Sequence, residues 1–281
     1  MRIEKAGEIG FCFGVKRAIN ILENIAREQG GVETLGPVVH NQQVLQRLAK
    51  IGVRVATDAD DIQGTKVAIS THGVSPQLEQ EIRARHMDVI NTTCPFVHRA
   101  QVAARRLARS GFFVIIYGDA GHPEVKGILG WAEGKGAAAL DEKFITSFDS
   151  LPRRLGVLSQ TTQIPAHFTE FVKKLIGSAL AKDSEIRIID TICHDIRQRQ
   201  EEAIKLAKRV GLMLVIGGHN SANTNRLAEL CSMATKTHLV ETATEIQPSW
   251  LHGLSYIGVT AGASTGEPAI NEVIKKLEAV G

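Results

Sequence analysis

Apolar residues in this chain come in two alternating rhythms. Short continuous runs such as K-V-A-I (66–69), F-F-V-I-I-Y (112–117), L-G-V-L (155–158), L-M-L-V-I (212–216) and Y-I-G-V (256–259) are bounded by turn-forming residues and predict buried parallel strands. Between them, apolar residues recur at helical spacing, as in Val15, Ala18, Ile19, Leu22 and Ile25. Helices are predicted near 15–28, 43–50, 77–85, 96–110, up to about Trp131, 166–180, 196–210, 226–233 and 269–279. Weaker strands are expected at 1–6, from Thr34, at V-R-V-A, D-V-I-N, 137–140, I-R-I-I-D and H-L-V. Such alternation implies βαβ units with right-handed crossovers and ligand loops gathered at the C-terminal ends of the strands.

The pattern repeats, and a cysteine heads each copy: C-F-G-V-K-R from Cys12, C-P-F-V-H-R from Cys94 and C-H-D-I-R-Q from Cys193. Behind each cysteine a polar loop returns at nearly constant distance: 28 residues from 12 to 40, 28 from 94 to 122 and 27 from 193 to 220. A second set of loops carries His72, Thr161 and Ser264 at looser spacing. Two copies end in a strand that runs into the next cysteine, whereas the third ends on a helix. The strand at 1–6 is therefore expected to complete the third sheet. The expected fold is α/β: three quasi-equivalent units with mainly parallel sheets and pseudo-threefold symmetry, at 13–94, 95–193 and 194–281, the last completed by 1–12.

Composition narrows the class. With 281 residues, 43% apolar and 22% charged, the chain is ordinary globular protein. A net charge of +3, from 33 basic and 30 acidic residues, is too slight to suggest a nucleic-acid surface. No run approaches the ~18 apolar residues of a membrane span, and the start M-R-I-E-K-A lacks a signal-peptide core, so a cytoplasmic monomer acting on a small molecule is expected. Four cysteines are too few for a disulfide framework.

If three related units meet on an axis, three thiols converge there, and soft thiolates select an iron–sulfur cluster or zinc. Three ligands on a cubane would leave one iron with an open position. Cys231, on a helix face with Leu227, Leu230 and Ala234, reads as core. The polar loops add His40, His72, His122 with Glu124, Thr161, Ser221, Asn223 and Ser264. N-S-A-N-T-N before a helix offers backbone amides to a phosphate. Histidines beside a sheltered glutamate suit proton delivery. His86, His98, His167, His238 and His252 read as surface or core residues, while His194 and His219 neighbour the loops. Three activities fit these features: reduction at a cluster, hydrolysis of a phosphorylated substrate at zinc, or iron–sulfur sensing without catalysis.

The motifs F-C-F-G-V-K-R-A-I, V-V-H-N, T-H-G-V-S, T-C-P, G-H-P-E-V, Q-T-T, N-S-A-N-T-N-R-L and T-A-G-A-S, in this order across nearly the whole chain, resemble the LytB family of 4-hydroxy-3-methylbut-2-enyl diphosphate reductases. The resemblance implies a [4Fe–4S] cluster on Cys12, Cys94 and Cys193 and reduction of the allylic diphosphate to isopentenyl and dimethylallyl diphosphate, the last step of non-mevalonate isoprenoid synthesis. It implies electrons from ferredoxin or flavodoxin. It assigns the diphosphate to His40, His72, Ser221, Asn223 and Ser264, with the backbone of Ala222, and the hydroxyl end to His122, Glu124 and Thr161. Two positions depart from the family pattern: Ala222 stands where a second serine is frequent, and His194-Asp195-Ile196 replaces x-A-T, so Ile196 supplies no hydroxyl there.

Overall fold

The computed structural model describes residues 1–85, 88–141, 144, 152–180 and 184–280; His86 lies outside them. The chain runs β1 (Arg2–Lys5), α1 (Phe13–Gln29), β2 (Val32–Leu35), α2 (Gln42–Ala49), β3 (Val53–Ala56), β4 (Lys66–Ile69), α3 (Pro76–Ala84) and β5 (Asp88–Asn91). It continues with α4 (Pro95–Arg109), β6 (Phe113–Tyr117), α5 (Pro123–Trp131), β7 (Gly136–Ala139), β8 (Arg154–Ser159), α6 (Pro165–Leu180) and β9 (Glu185–Ile188). The last part holds α7 (His194–Ala207), β10 (Leu212–Ile216), α8 (Ala222–Ser232), β11 (Thr237–Val240), β12 (Tyr256–Ala261) and α9 (Glu267–Val280).

Three four-stranded parallel sheets result, ordered β1-β12-β10-β11, β5-β4-β2-β3 and β9-β8-β6-β7. Written this way the three are the same sheet. Each begins with the edge strand that leads to a cysteine, and the N-terminal β1 takes that place beside β12, pairing Arg2 with Tyr256 through Lys5 with Val259. The continuous apolar runs are explained by cover on both faces. Leu212, Leu214 and Ile216 of β10 pack with Val273 and Leu277 of α9, while Met213 and Val215 point the other way, onto Ala203 and Leu206 of α7 and Leu227 of α8. Cys231 is fully buried in that second layer.

Helix boundaries follow local chemistry. Helix α1 stops where Gly30 takes a left-handed conformation (φ 78°) and its amide bonds Ala26 O. Ser75 caps α3 at Leu78 N (3.2 Å), ahead of Pro76. Two sequence expectations are corrected. The strand expected from Thr34 onward lies at 32–35, because Gly36 (φ 71°) turns the chain and Pro37 has no amide to donate. The helix expected from Arg226 begins four residues earlier: Ser221 is its cap, accepting from Thr224 N at 3.3 Å, so N-T-N is its first turn.

The repeat extends to packing distances. Leu107, on the first helix behind Cys94, presses on Gly156 of β8, and Leu206, at the same distance behind Cys193, presses on Gly258 of β12. A Cβ on Gly156 would lie 2.7 Å from Leu107 Cδ1, inside a core where Leu107 is 3% exposed. Overpacking of this kind costs about 1–3 kcal/mol. Gly156→Ala should accordingly lower the urea midpoint without changing the slope of the transition; an unchanged midpoint would show that α4 can withdraw freely from the sheet.

Candidate functional site

The three cysteines occupy one structural position. Cys12, Cys94 and Cys193 are the N-cap residues of α1, α4 and α7, all with extended backbone. The amide of each bonds a carbonyl in the loop after the adjacent inner strand: Cys12 N to Ala263 O (3.0 Å), Cys94 N to Thr71 O (3.0 Å) and Cys193 N to Thr161 O (2.9 Å). Their thiols close no capping hydrogen bond, but the amides of Val15 and Gly14, of Phe96 and Val97, and of Ile196 and Asp195 face them and favour the thiolate. Burial outweighs those amides. It raises Cys12 above its usual range, Cys94 to about 11 and Cys193 to about 12, so the sulfurs stay protonated until a cation displaces the proton. Gly14 makes the approach of α1 possible, since a Cβ there would lie 2.6 Å from Cys94 Sγ. Ile196 and Ala263, with Phe96, form an apolar wall beside Cys12 and Cys193.

The thiols open on a cavity of about 110 Å³ that all the sequence-predicted site residues line. That is room for much more than one ion. Among the described residues the group of ligand-type side chains close enough to share a single ion is His40, His72 and His122, and the cysteines are not such a group. A spread set of three soft sulfurs suits a multi-iron cluster better than one zinc.

The histidines form the opposite side. Ring centroids are 4.8 Å apart for His40 and His72, 5.7 Å for His40 and His122, and 5.4 Å for His72 and His122. Burial holds all three below the usual imidazole range, His122 at about 4 and His72 far down, where the other two rings add their repulsion. They are neutral at pH 7. His122 caps α5 with Nδ1, which accepts from Glu124 N at 3.1 Å, so its proton sits on Nε2 as a donor. A ring in that state favours an anion over a metal ion. His40 Nε2, Asn223 Nδ2 and Ser264 Oγ are buried with no partner, as is Thr162 Oγ1. Unsatisfied buried polar atoms converging on one cavity are costly unless a ligand meets them.

Glu124 lies between the two sides. It is 2% exposed, and its oxygens accept from Thr161 N (2.6 Å) and Thr161 Oγ1 (2.9 Å). Desolvation raises it to about 6 against the pull of those two bonds. Arg226, bonded to Gln163 Oε1 (2.7 Å) and Ala222 O (3.3 Å), favours the Glu124 carboxylate by its charge.

The loop register differs by one residue from the sequence pairing. Asn41, His122 and Ser221 are the equivalent helix caps, so His40 precedes its cap while His122 is one. In the second loops, turns closing Gly73 on Ser70, Gln163 on Gln160 and Thr265 on Gly262 make His72, Thr162 and Ser264 counterparts, with Thr161 matching Thr71. Thr162 and Arg226 were therefore missed, although T-T and N-R-L carried them in the sequence. His194 and His219 are exposed and do not line the cavity, and His219 pairs with Glu245 at 2.8 Å. His98 packs edge-on against Trp131, His238 stacks on Trp250 at 3.8 Å, and His167 and His252 are not in the site.

A family profile described as LytB protein matches residues 3–278. The 4-hydroxy-3-methylbut-2-enyl diphosphate reductase of Dehalococcoides mccartyi (strain CBDB1) is 60% identical over 99% of this chain and 98% of its own length. The reductase of the same name from Geobacter sulfurreducens is 44% identical, covering 99% of this chain and 97% of its own. A solved structure of (E)-4-hydroxy-3-methyl-but-2-enyl diphosphate reductase, described as the terminal enzyme of the non-mevalonate pathway, superposes with a TM-score of 0.72 at 37% identity, covering 99% of this chain and all of that one. The Plasmodium falciparum structure, at 24% identity and a TM-score of 0.92 over 99% of this chain and 87% of its own, shares the fold.

Two outcomes test the geometry. Gly14→Ala should force Cys94 Sγ aside and reduce any metal retained per chain, read by metal analysis. The neutral histidines should gain protons when an anion sits among them, because an opposite charge raises a depressed imidazole pKa. Inorganic diphosphate should thus bind with net proton uptake, and more tightly as pH falls from 7 toward 5. Calorimetry in buffers of differing ionisation enthalpy checks this, and binding without proton exchange would contradict it.

Proposed function

The chain belongs to the LytB family, and on that premise we propose that it reduces 4-hydroxy-3-methylbut-2-enyl diphosphate to isopentenyl and dimethylallyl diphosphate in the cavity between the cysteines and the histidines. The observation that carries the reading is the set of buried, unpartnered polar atoms, His40 Nε2, Asn223 Nδ2 and Ser264 Oγ, in the same cavity as three thiols and a raised carboxyl group. Replacing C–OH by C–H with release of water consumes two electrons and two protons. Cys12, Cys94 and Cys193 would hold a [4Fe–4S] cluster. Such a cluster supplies single electrons and, with only three protein ligands, an iron open to substrate oxygen.

The chain's own residues bind, orient and protonate. His40, His72, Ser221, Asn223 and Ser264, with the Ala222 amide in the first turn of α8, hold the diphosphate, where the helix dipole favours anions. Anchoring that end fixes the hydroxyl end in position, so binding energy remote from the reacting carbon serves the chemistry. Glu124 is the proton source. With a pKa of about 6 it is protonated in roughly a tenth of molecules at pH 7, and a bound anion raises that share. Thr161 holds its two oxygens in place, and His122 presents Nε2–H beside it. Ile196 and Phe96 wall off water near the thiols. The natural reductant would be ferredoxin or flavodoxin acting on a cytoplasmic monomer. None of the described helices is long and apolar enough to cross a membrane.

Anaerobic purification should yield a brown protein with about four irons and four sulfides per chain. A colourless, air-stable protein carrying one zinc would instead favour the hydrolase. Glu124→Gln should bind the allylic diphosphate nearly as well as wild type while kcat falls about 10²- to 10⁴-fold. Wild-type turnover by this variant would remove Glu124 from the proton path.

A further inference from the structure

Arg199 is 3% exposed and is the one buried Lys or Arg among the described residues. It lies in α7, shortly after Cys193, and its guanidinium reaches across to the segment that delivers Cys12. Nη1 donates to Glu8 O (3.1 Å) and Ala261 O (3.0 Å), and Nη2 to Gly10 O (2.8 Å). Nε is buried and has no partner. All its acceptors are neutral carbonyls, and among the described residues no carboxylate pairs with it. Burial lowers its pKa, and the charges that oppose this are, largest first, those of Cys12, Glu8, Asp195 and Cys193.

A buried cation with no carboxylate bonded to it is costly, and proteins keep one where an anion comes to meet it. With protonated thiols the region around Arg199 holds only the negative charge of Glu8 and Asp195, neither of whose carboxylates bonds it. With three thiolates on a metal group it holds an excess. We infer that Arg199 is a built-in counter-ion of the three-cysteine site: it ties the loop before Cys12 to the end of β12 and offsets the negative charge that the ligated thiolates bring. The inference rests on the cluster reading above and adds a positioning residue to it. A fixed positive charge stabilises the state with one more electron, so Arg199 raises the reduction potential of the group the cysteines hold. Gln198, one residue earlier in α7, is exposed and bonds Glu8 Oε1 from the outer side, so the buried charge comes from Arg199 alone.

The experiment compares wild type, Arg199→Lys and Arg199→Gln, purified anaerobically. It measures iron per chain, the midpoint potential by dye-mediated titration followed by absorbance and paramagnetic resonance, and the thermal melt. Arg199→Gln should shift the midpoint to more negative potential, with Arg199→Lys remaining near wild type. Loss of iron from the glutamine variant alone, with the lysine variant loaded, would support the same conclusion. A glutamine variant with the wild-type midpoint overturns it. So does loss of iron from both variants, because the fork of the guanidinium and not its charge would then be what the site needs. Wild-type protein without iron sinks the cluster reading and this inference with it.

Discussion

Three backbone hydrogen bonds, from the amides of Cys12, Cys94 and Cys193 to Ala263 O, Thr71 O and Thr161 O, are the constraint on which the rest of the molecule depends. Each fastens the start of a helix to the loop after an inner strand, and each acceptor lies next to a cavity-lining side chain. The thiols and the polar loops are thereby set in one frame. The order of strands follows from the same requirement. An edge strand must end at each cysteine, which is why β1 joins β12 across almost the full length of the chain.

The closure also sets the electrostatics. Removing three thiols, three imidazoles and a carboxyl group from water favours the neutral form of every one, so the cavity carries little charge of its own. Cys94 and Cys193 rise to about 11 and about 12, Glu124 rises to about 6, and His122 falls to about 4. Arg199 and Arg226 are the exceptions, cations set against the cysteine loop and the acid loop. Such a site suits anionic guests on both sides, as the proposed reaction requires.

Much of this was legible in the residues. Apolar runs and helical spacing marked the βαβ order, because period and length are local properties of the chain. The cysteine repeat marked the site, because related units must place equivalent residues equivalently. Boundaries and register were less legible. N-S-A-N-T-N has the composition of a loop, and only the Ser221 cap shows that helix α8 starts there. His72 was aligned with Thr161, yet Thr162 is its counterpart, because two adjacent threonines carry no mark of which one takes the second position of the turn.

The sequence by itself determined the class of fold, the family, and which residue types would meet at the site. All three depend on covalent order and side-chain chemistry, which spacing preserves. Tertiary structure alone decided the rest: that Gly14 makes room for Cys94 Sγ, that His122 spends Nδ1 on a helix cap and offers Nε2, and that Arg199 is buried without an anion. Those are consequences of distance and desolvation between segments far apart in the chain, and both quantities come into being only when the three units close on one another.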